Sequence, residues 1–221
     1  MSDQLREVLK HRYIYVPRGK TDDTTGPGKR LGLAVAHALG APLTVLAPQK
    51  GSATHHPELA KLEIVTERSG YPQDGGVVLA WCPTYKVMEK AQRLETSMVV
   101  LVEWIPGEFD SWAKVHRAYN VVIGEVMDAG LSPEAANALE GIVDEGYKGW
   151  HDDIAERMTR SYLADLDRVG AYDRELVLAY ARRTKSEESI RRLKRILDKL
   201  GASRASVPTT STSLFRTSRD W

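Results

Sequence analysis

The sequence predicts an α/β protein: a Rossmann-like, open, mostly parallel sheet over residues 1–125, a helical region over 126–201 and a loose tail over 202–221. Three observations carry this. Short apolar runs alternate with helical stripes through the first half. The two strongest runs, 77–82 and 98–102, are continuously apolar, as strands covered on both faces are. Beyond Gly124 the apolar residues recur only at helical spacing.

In chain order, the first strand is Tyr13-Ile14-Tyr15-Val16, β-branched and aromatic, stopped by Pro17. Leu31, Val35, Ala38 and Leu39 follow at helical spacing, and Gly40 is placed to end that helix. Residues 42–47 form a second strand closed by Pro48, and 63–66 a weaker third. Between the fourth and fifth runs, Val87, Ala91 and Leu94 mark a helix whose first turn suits Pro83. Trp112, Val115, Tyr119 and Val122 make a further stripe, with Asp110 as its N-cap. Strands and helices in this order, with short connections, form right-handed βαβ units.

In the second half, Ser132-Pro133-Glu134 is a helix start, and Ala135, Ala138, Leu139, Ile142 and Val143 are its apolar face. Tyr147, Trp150, Ile154, Met158, Tyr162, Leu166 and Val169 make a long second stripe, whose aromatic members are expected in the core. Leu176 and Tyr180 belong to a third helix. Ile190, Leu193, Ile196, Leu197 and Leu200 belong to a fourth, opened by Ser186 and two acids and closed by Gly201. These faces need cover from one another, from the sheet, or from a second copy of the chain in a homo-oligomer. The Ser-, Thr- and Arg-rich tail shows little periodicity.

Lys plus Arg number 31 against 30 Asp plus Glu, so bulk charge argues for neither nucleic acid nor membrane. The single cysteine, Cys82, excludes an internal disulfide and a multi-cysteine zinc site. No apolar run approaches the roughly 20 residues of a membrane span, and the first residues lack a signal-peptide core. A cytoplasmic protein without membrane contact is expected.

Open α/β sheets bind ligands outside the carboxyl ends of their strands. Here those ends deliver Arg18 and Lys20, then Lys50, then Trp81, Cys82 and Tyr85, then Glu103 and Trp104. The segment from Thr24 to Gly32 is the sharpest signal. Gly26 and Gly28 bare the backbone just before a helix, where free N–H groups and the helix dipole attract an anion. Lys20, Thr25, Lys29 and Arg30 add cations and a hydroxyl. The alternative is a flexible turn with solvated cations. The segment is not a P-loop, because Asp23 stands where its first glycine belongs. A nicotinamide dinucleotide site is disfavoured, because Gln49 and Lys50 stand where a ribose-binding acid is expected.

The stretch from Gly26-Pro27-Gly28-Lys29-Arg30-Leu31-Gly32 to Thr44-Val45-Leu46-Ala47-Pro48 resembles the amino-terminal half of two-domain glycosyltransferases, where a glycine-rich loop opens the first helix. Their second, sugar-nucleotide-binding half has no counterpart after Gly124, and no catalytic residue carries over.

Candidate catalytic groups are Glu103, a carboxylate ending an apolar strand, and Cys82, beside a helix start that could lower its pKa. Each has a plain alternative, a strand-end ion pair for Glu103 and a small buried apolar residue for Cys82. Asp22 and Asp23 could hold a divalent ion or simply be solvated. The six histidines show no His-x-x-x-His spacing. The expected function is binding of a nucleotide or sugar phosphate at the sheet edge, with transfer or hydrolysis as the chemistry it could support. Lys20, Thr25, Gly26, Gly28, Lys29, Arg30 and Lys50 would hold phosphate, and Trp81, Tyr85 and Trp104 would supply walls. No cofactor is specified. The alternative is an adaptor that binds nucleic acid or a protein through the last helices, where Arg191, Arg192 and Arg195 form a basic face. Neighbouring acids such as Glu156 could also neutralise that face.

Overall fold

The computed structural model describes residues 2–19 and 23–205, the last few, 202–205, as helical backbone only. Lys20, Asp22 and the tail from 206 onward lie outside the described residues. Seven strands form one sheet: β1 (Tyr13–Val16), β2 (Leu43–Leu46), β3 (Glu63–Val65), β4 (Val77–Trp81), β5 (Met98–Val102), β6 (Tyr119–Asn120) and β7 (Glu125–Val126). Their spatial order is β3-β2-β4-β5-β1-β6-β7. All pairings are parallel except β6 with β7. The sheet is the open, mostly parallel Rossmann-like one that the strand pattern predicts.

Its side-chain alternation explains the continuous apolar runs. Val77, Leu79 and Trp81 of β4 and Val100 and Val102 of β5 face one layer of helices. That layer comprises α1 (Asp3–Val8), α2 (Thr25–Leu39) and α3 (Lys50–Thr54). Val78 and Ala80, with Val99 and Leu101, face the other layer, α4 (Tyr85–Ala91) and α5 (Asp110–Val115). Both faces are dry, so no position in these strands favours a polar residue. Gly40 ends α2 in the left-handed region at φ +58°, which glycine adopts at no steric cost. Thr84, not Pro83, begins α4, its hydroxyl accepting from the Val87 N–H at 3.3 Å.

Two expectations of the first half are corrected. The stripe 112–122 is not one helix, since α5 stops at Val115 and Tyr119 opens β6. Phe109 holds the N-cap position, while Asp110, one residue inside, accepts from the Tyr15 hydroxyl at 2.8 Å. Arg117, at φ +52°, breaks the helix and returns the chain to the sheet. Strands therefore do not end at Gly124: it turns a β6–β7 hairpin at φ +72°.

The remaining helices are α6 (Pro133–Glu145), α7 (Asp153–Arg168), α8 (Arg174–Arg182) and α9 (Glu187–Ala205). Ser132 caps α6 through a bond from the Ala135 N–H. α9 runs past Gly201, where the sequence places its end. The α7 stripe is also corrected. Ile154, Met158 and Val169 are exposed, and the face turned inward is Ala155, Thr159, Leu163 and Leu166. Gly141 of α6 lies against the Tyr162 ring of α7, where an added Cβ would stand 2.5 Å from it. Tyr147 is 72 % exposed, whereas Trp150 is buried and donates its indole N–H to Thr159.

This helical layer docks on the α4–α5 side of the sheet. Arg182, 2 % exposed, lays its guanidinium 3.6 Å over the Tyr85 ring and pairs with Glu187 at 2.6 Å. Among the described residues, no helix is long and apolar enough to cross a membrane.

Candidate functional site

Adjacent strands whose connections leave toward opposite faces open a crevice at the sheet edge. The order creates two. β1 leads to α2 on one face while its neighbour β5 leads to α5 on the other. β2 leads to α3 while its neighbour β4 leads to α4.

A cavity of about 520 Å³ lies at these strand exits, with Thr25, Pro48, His56, Trp81, Cys82 and Trp104 in its wall. Trp104 is 55 % exposed, and the Arg18 guanidinium lies flat over its ring at 4.0 Å. Trp81 is held from below: its indole N–H donates to the Ser52 carbonyl at 3.2 Å, and its ring meets His56 edge-on at 4.9 Å. The Nη1 atom of Arg18 is buried and has no hydrogen-bond partner among the described residues. The rest of the Arg18 side chain is partly exposed, and its charge acts on the Asp23 carboxylate in the cavity wall.

Glu103 organises this corner and is not a reactive group. It is fully buried, and it accepts from the backbone N–H groups of Arg18 (3.0 Å), Gly107 (3.2 Å) and Phe109 (2.8 Å). Its oxygens are committed to tying the exit of β5 to that of β1, which sets Arg18 over Trp104. The expectation of a general base is corrected accordingly.

Cys82 borders the cavity, but burial pushes its thiol up to about 11, the wrong direction for a nucleophile. Its backbone is strained: φ is +46° immediately before Pro83, where the preceding residue favours extended conformations. Tyr85 is not a cavity wall. Its ring packs on Phe109, with Arg182 above it, on the opposite face of the sheet.

The glycine-rich segment is helix rather than loop, because α2 already begins at Thr25. Asp23 accepts from the Thr25 N–H at 3.0 Å and from its hydroxyl at 2.5 Å. These bonds hold the Asp23 carboxyl below its usual range. The Gly28 N–H is bonded to the Thr24 carbonyl, and Pro27 has no N–H. The chain's own carboxylate thus occupies the place expected for a ligand anion.

Gly28 and Gly32 serve packing. A Cβ at Gly28 would stand 2.7 Å from Val102, and one at Gly32 would stand 2.9 Å from Leu79. This close approach of helix to sheet is what the absence of side chains at the two positions permits. Lys29 pairs with Glu58 at 3.0 Å. Gly28 and Arg30 line a different cavity, shared with Leu5 and Val121 on the α1 side. Gly26 lies at the start of α2 beside Arg30, and only Thr25 of this segment reaches the main cavity.

Lys50 lies in a third cavity of about 530 Å³ with Gln49, Thr66, Glu67, Arg68 and Thr84; Pro48 lines both this cavity and the main one. Of the basic helix face, Arg192 is engaged by Glu188 at 2.9 Å and by the Gly149 carbonyl, and Lys199 by Glu156. Arg191 and Arg195 are exposed. Among the described residues, no three His, Cys, Asp or Glu side chains are grouped to hold a metal ion.

The site thus gathers Thr25, Trp81, Cys82 and Trp104 of the expected residues, and adds Arg18 and His56. Arg18 carried a readable signal, as the second residue after β1. His56 carried none beyond its place after a short helix. No family model, curated protein or solved structure matches this chain.

Proposed function

We propose that the chain binds an anionic small molecule with a flat moiety, a nucleotide or sugar phosphate, in the cavity at the carboxyl edge of the sheet. The observation that carries this reading is the Arg18–Trp104 pair: a partly exposed guanidinium stacked on an exposed indole that lines the cavity. Such a pair offers a cation for a phosphate or carboxylate and an aromatic surface for a ring. Trp81, His56 and Thr25 line the cavity together with Asp23, whose carboxylate accepts from the Thr25 N–H and hydroxyl. The volume lies within the usual range for small-molecule sites. The strain at Cys82 supports the same place, because such backbone conformations cluster where ligands are held. Binding, not turnover, is the reading the residues support.

Trp104 provides the probe. Titration with mononucleotides and sugar phosphates, followed by tryptophan fluorescence and by thermal melting, is expected to give saturable quenching. A ligand at 100 times its Kd would stabilise the fold by about 2.7 kcal/mol. Arg18→Ala is expected to weaken binding at least tenfold, about 1.4 kcal/mol, with Trp104 left in place. Absence of any shift across the panel, or equal binding by Arg18→Ala, refutes the assignment.

A further inference from the structure

We infer that the ligand is two-ended: its nucleoside packs against Trp104 and Trp81, and its diphosphate crosses Pro48, so that the distal phosphoryl and the group esterified to it lie in the neighbouring cavity. This places it among nucleoside diphosphates esterified to a second group. The inference rests on the binding reading above and extends it.

Pro48, the second residue after β2, is a wall of both cavities, so the two meet along the sheet edge. Their chemistry differs. The first is aromatic, whereas the second is lined by the hydroxyl-bearing Thr66 and Thr84 and by Lys50 and Arg68. Lys50 and Arg68 are exposed and have no ion-pair partner among the described residues. The one acid in that wall, Glu67, is engaged by the Thr84 hydroxyl at 2.8 Å and by Lys86 at 3.2 Å. Two available cations at the rim of one cavity suit a phosphoryl group.

The second cavity is also built in advance. Lys90, buried, donates to the carbonyls of Thr66, Ser69 and Gly70 at 2.5, 2.6 and 3.0 Å. That clamp fixes the loop carrying Thr66 and Arg68 without help from a ligand. Preorganisation of this kind lowers the entropic cost of binding at the far end.

The test compares AMP and UMP with ADP-ribose and UDP-glucose by calorimetry on the full chain, using wild type, Arg18→Ala and the double variant Lys50→Ala/Arg68→Ala. The two-ended molecules are expected to bind at least tenfold tighter than the matching mononucleotides. The double variant should erase that advantage while leaving mononucleotide affinity and melting temperature unchanged, since both side chains lie at the surface. Equal affinities for both kinds of molecule overturn the two-ended ligand. So does an advantage that survives the double variant. In either case, mononucleotide binding that is lost in Arg18→Ala would keep the first cavity as a site. Failure of all four molecules to bind overturns both readings together.

Discussion

Glu103 shows how far one side chain can depart from its apparent role. In the sequence it is a lone carboxylate at the end of an apolar strand, the usual appearance of a catalytic or ion-paired acid. In the fold it is a buried acceptor for three backbone N–H groups that hold two loops together. Glu103→Ala is expected to lower stability by about 3 kcal/mol or more, because buried donors lose their acceptor. Glu103→Gln, which keeps one carbonyl oxygen, should lose less. Urea unfolding midpoints check this, and a midpoint unchanged in Glu103→Ala refutes the structural role. Its bonds are to backbone atoms of residues 18, 107 and 109, which no side-chain motif could reveal. Arg18 was visible as a cation after β1. Its stacking on Trp104 depends on β5 lying beside β1, a pairing of strands far apart in the chain.

At the scale of elements, α2 separates two meanings of glycine. The cluster at 26, 28 and 32 reads as a bare loop, yet each position lies in the helix and differs in what faces it. Gly26 is clear of all but Arg30, Gly32 meets chiefly the terminal methyls of the longer Leu79 side chain, and Gly28 meets the stiff, branched Val102. Gly26→Ala is therefore expected to stabilise by about 0.5–1 kcal/mol through helix propensity. Gly32→Ala should be near neutral as Leu79 rotates away. Gly28→Ala should destabilise by about 1–3 kcal/mol through overpacking. Thermal melts of the three variants check the order, and a Gly28→Ala variant as stable as wild type would contradict the close approach of α2 to β5. Helix α7 carries the complementary lesson. Ile154 and Met158 stand exposed on it among charged residues, while the inward face holds the small Ala155 and Thr159, the latter bonded to the Trp150 indole.

At the scale of the molecule, the sheet and the helical layer meet where α5 packs against α8. His116, at the end of α5, lies beside Tyr13 and Trp112, and its Nε2 has no hydrogen-bond partner among the described residues. Burial, with help from Arg183 and Arg12, lowers its pKa from 6.5 to about 4. The unfolded chain therefore binds a proton between pH 6.5 and pH 4 that the fold refuses, so this contribution is complete above pH 6.5 and is lost as the pH falls through that window. The loss amounts to about 3 kcal/mol, at 1.36 kcal/mol per pH unit. Unfolding midpoints at pH 7.5 and 4.5 should differ accordingly, and His116→Phe should flatten the difference. An equally steep profile in that variant would assign the acid sensitivity to other groups.

The local pattern of the chain sets the class of the fold, the five main strands and the capped starts of α6 and α9. These depend on local pattern: dry strands on both faces, a hydroxyl before a helix, spacing near 3.6 residues. Only the tertiary structure decided which strand exits share a rim, that Asp23 occupies the start of α2, that Glu103 binds backbone, and that Arg18 rests on Trp104. Each of these is a contact between segments whose separation along the chain says nothing of their separation in space, and it is fixed by the strand order β3-β2-β4-β5-β1-β6-β7 rather than by any residue's neighbours in sequence.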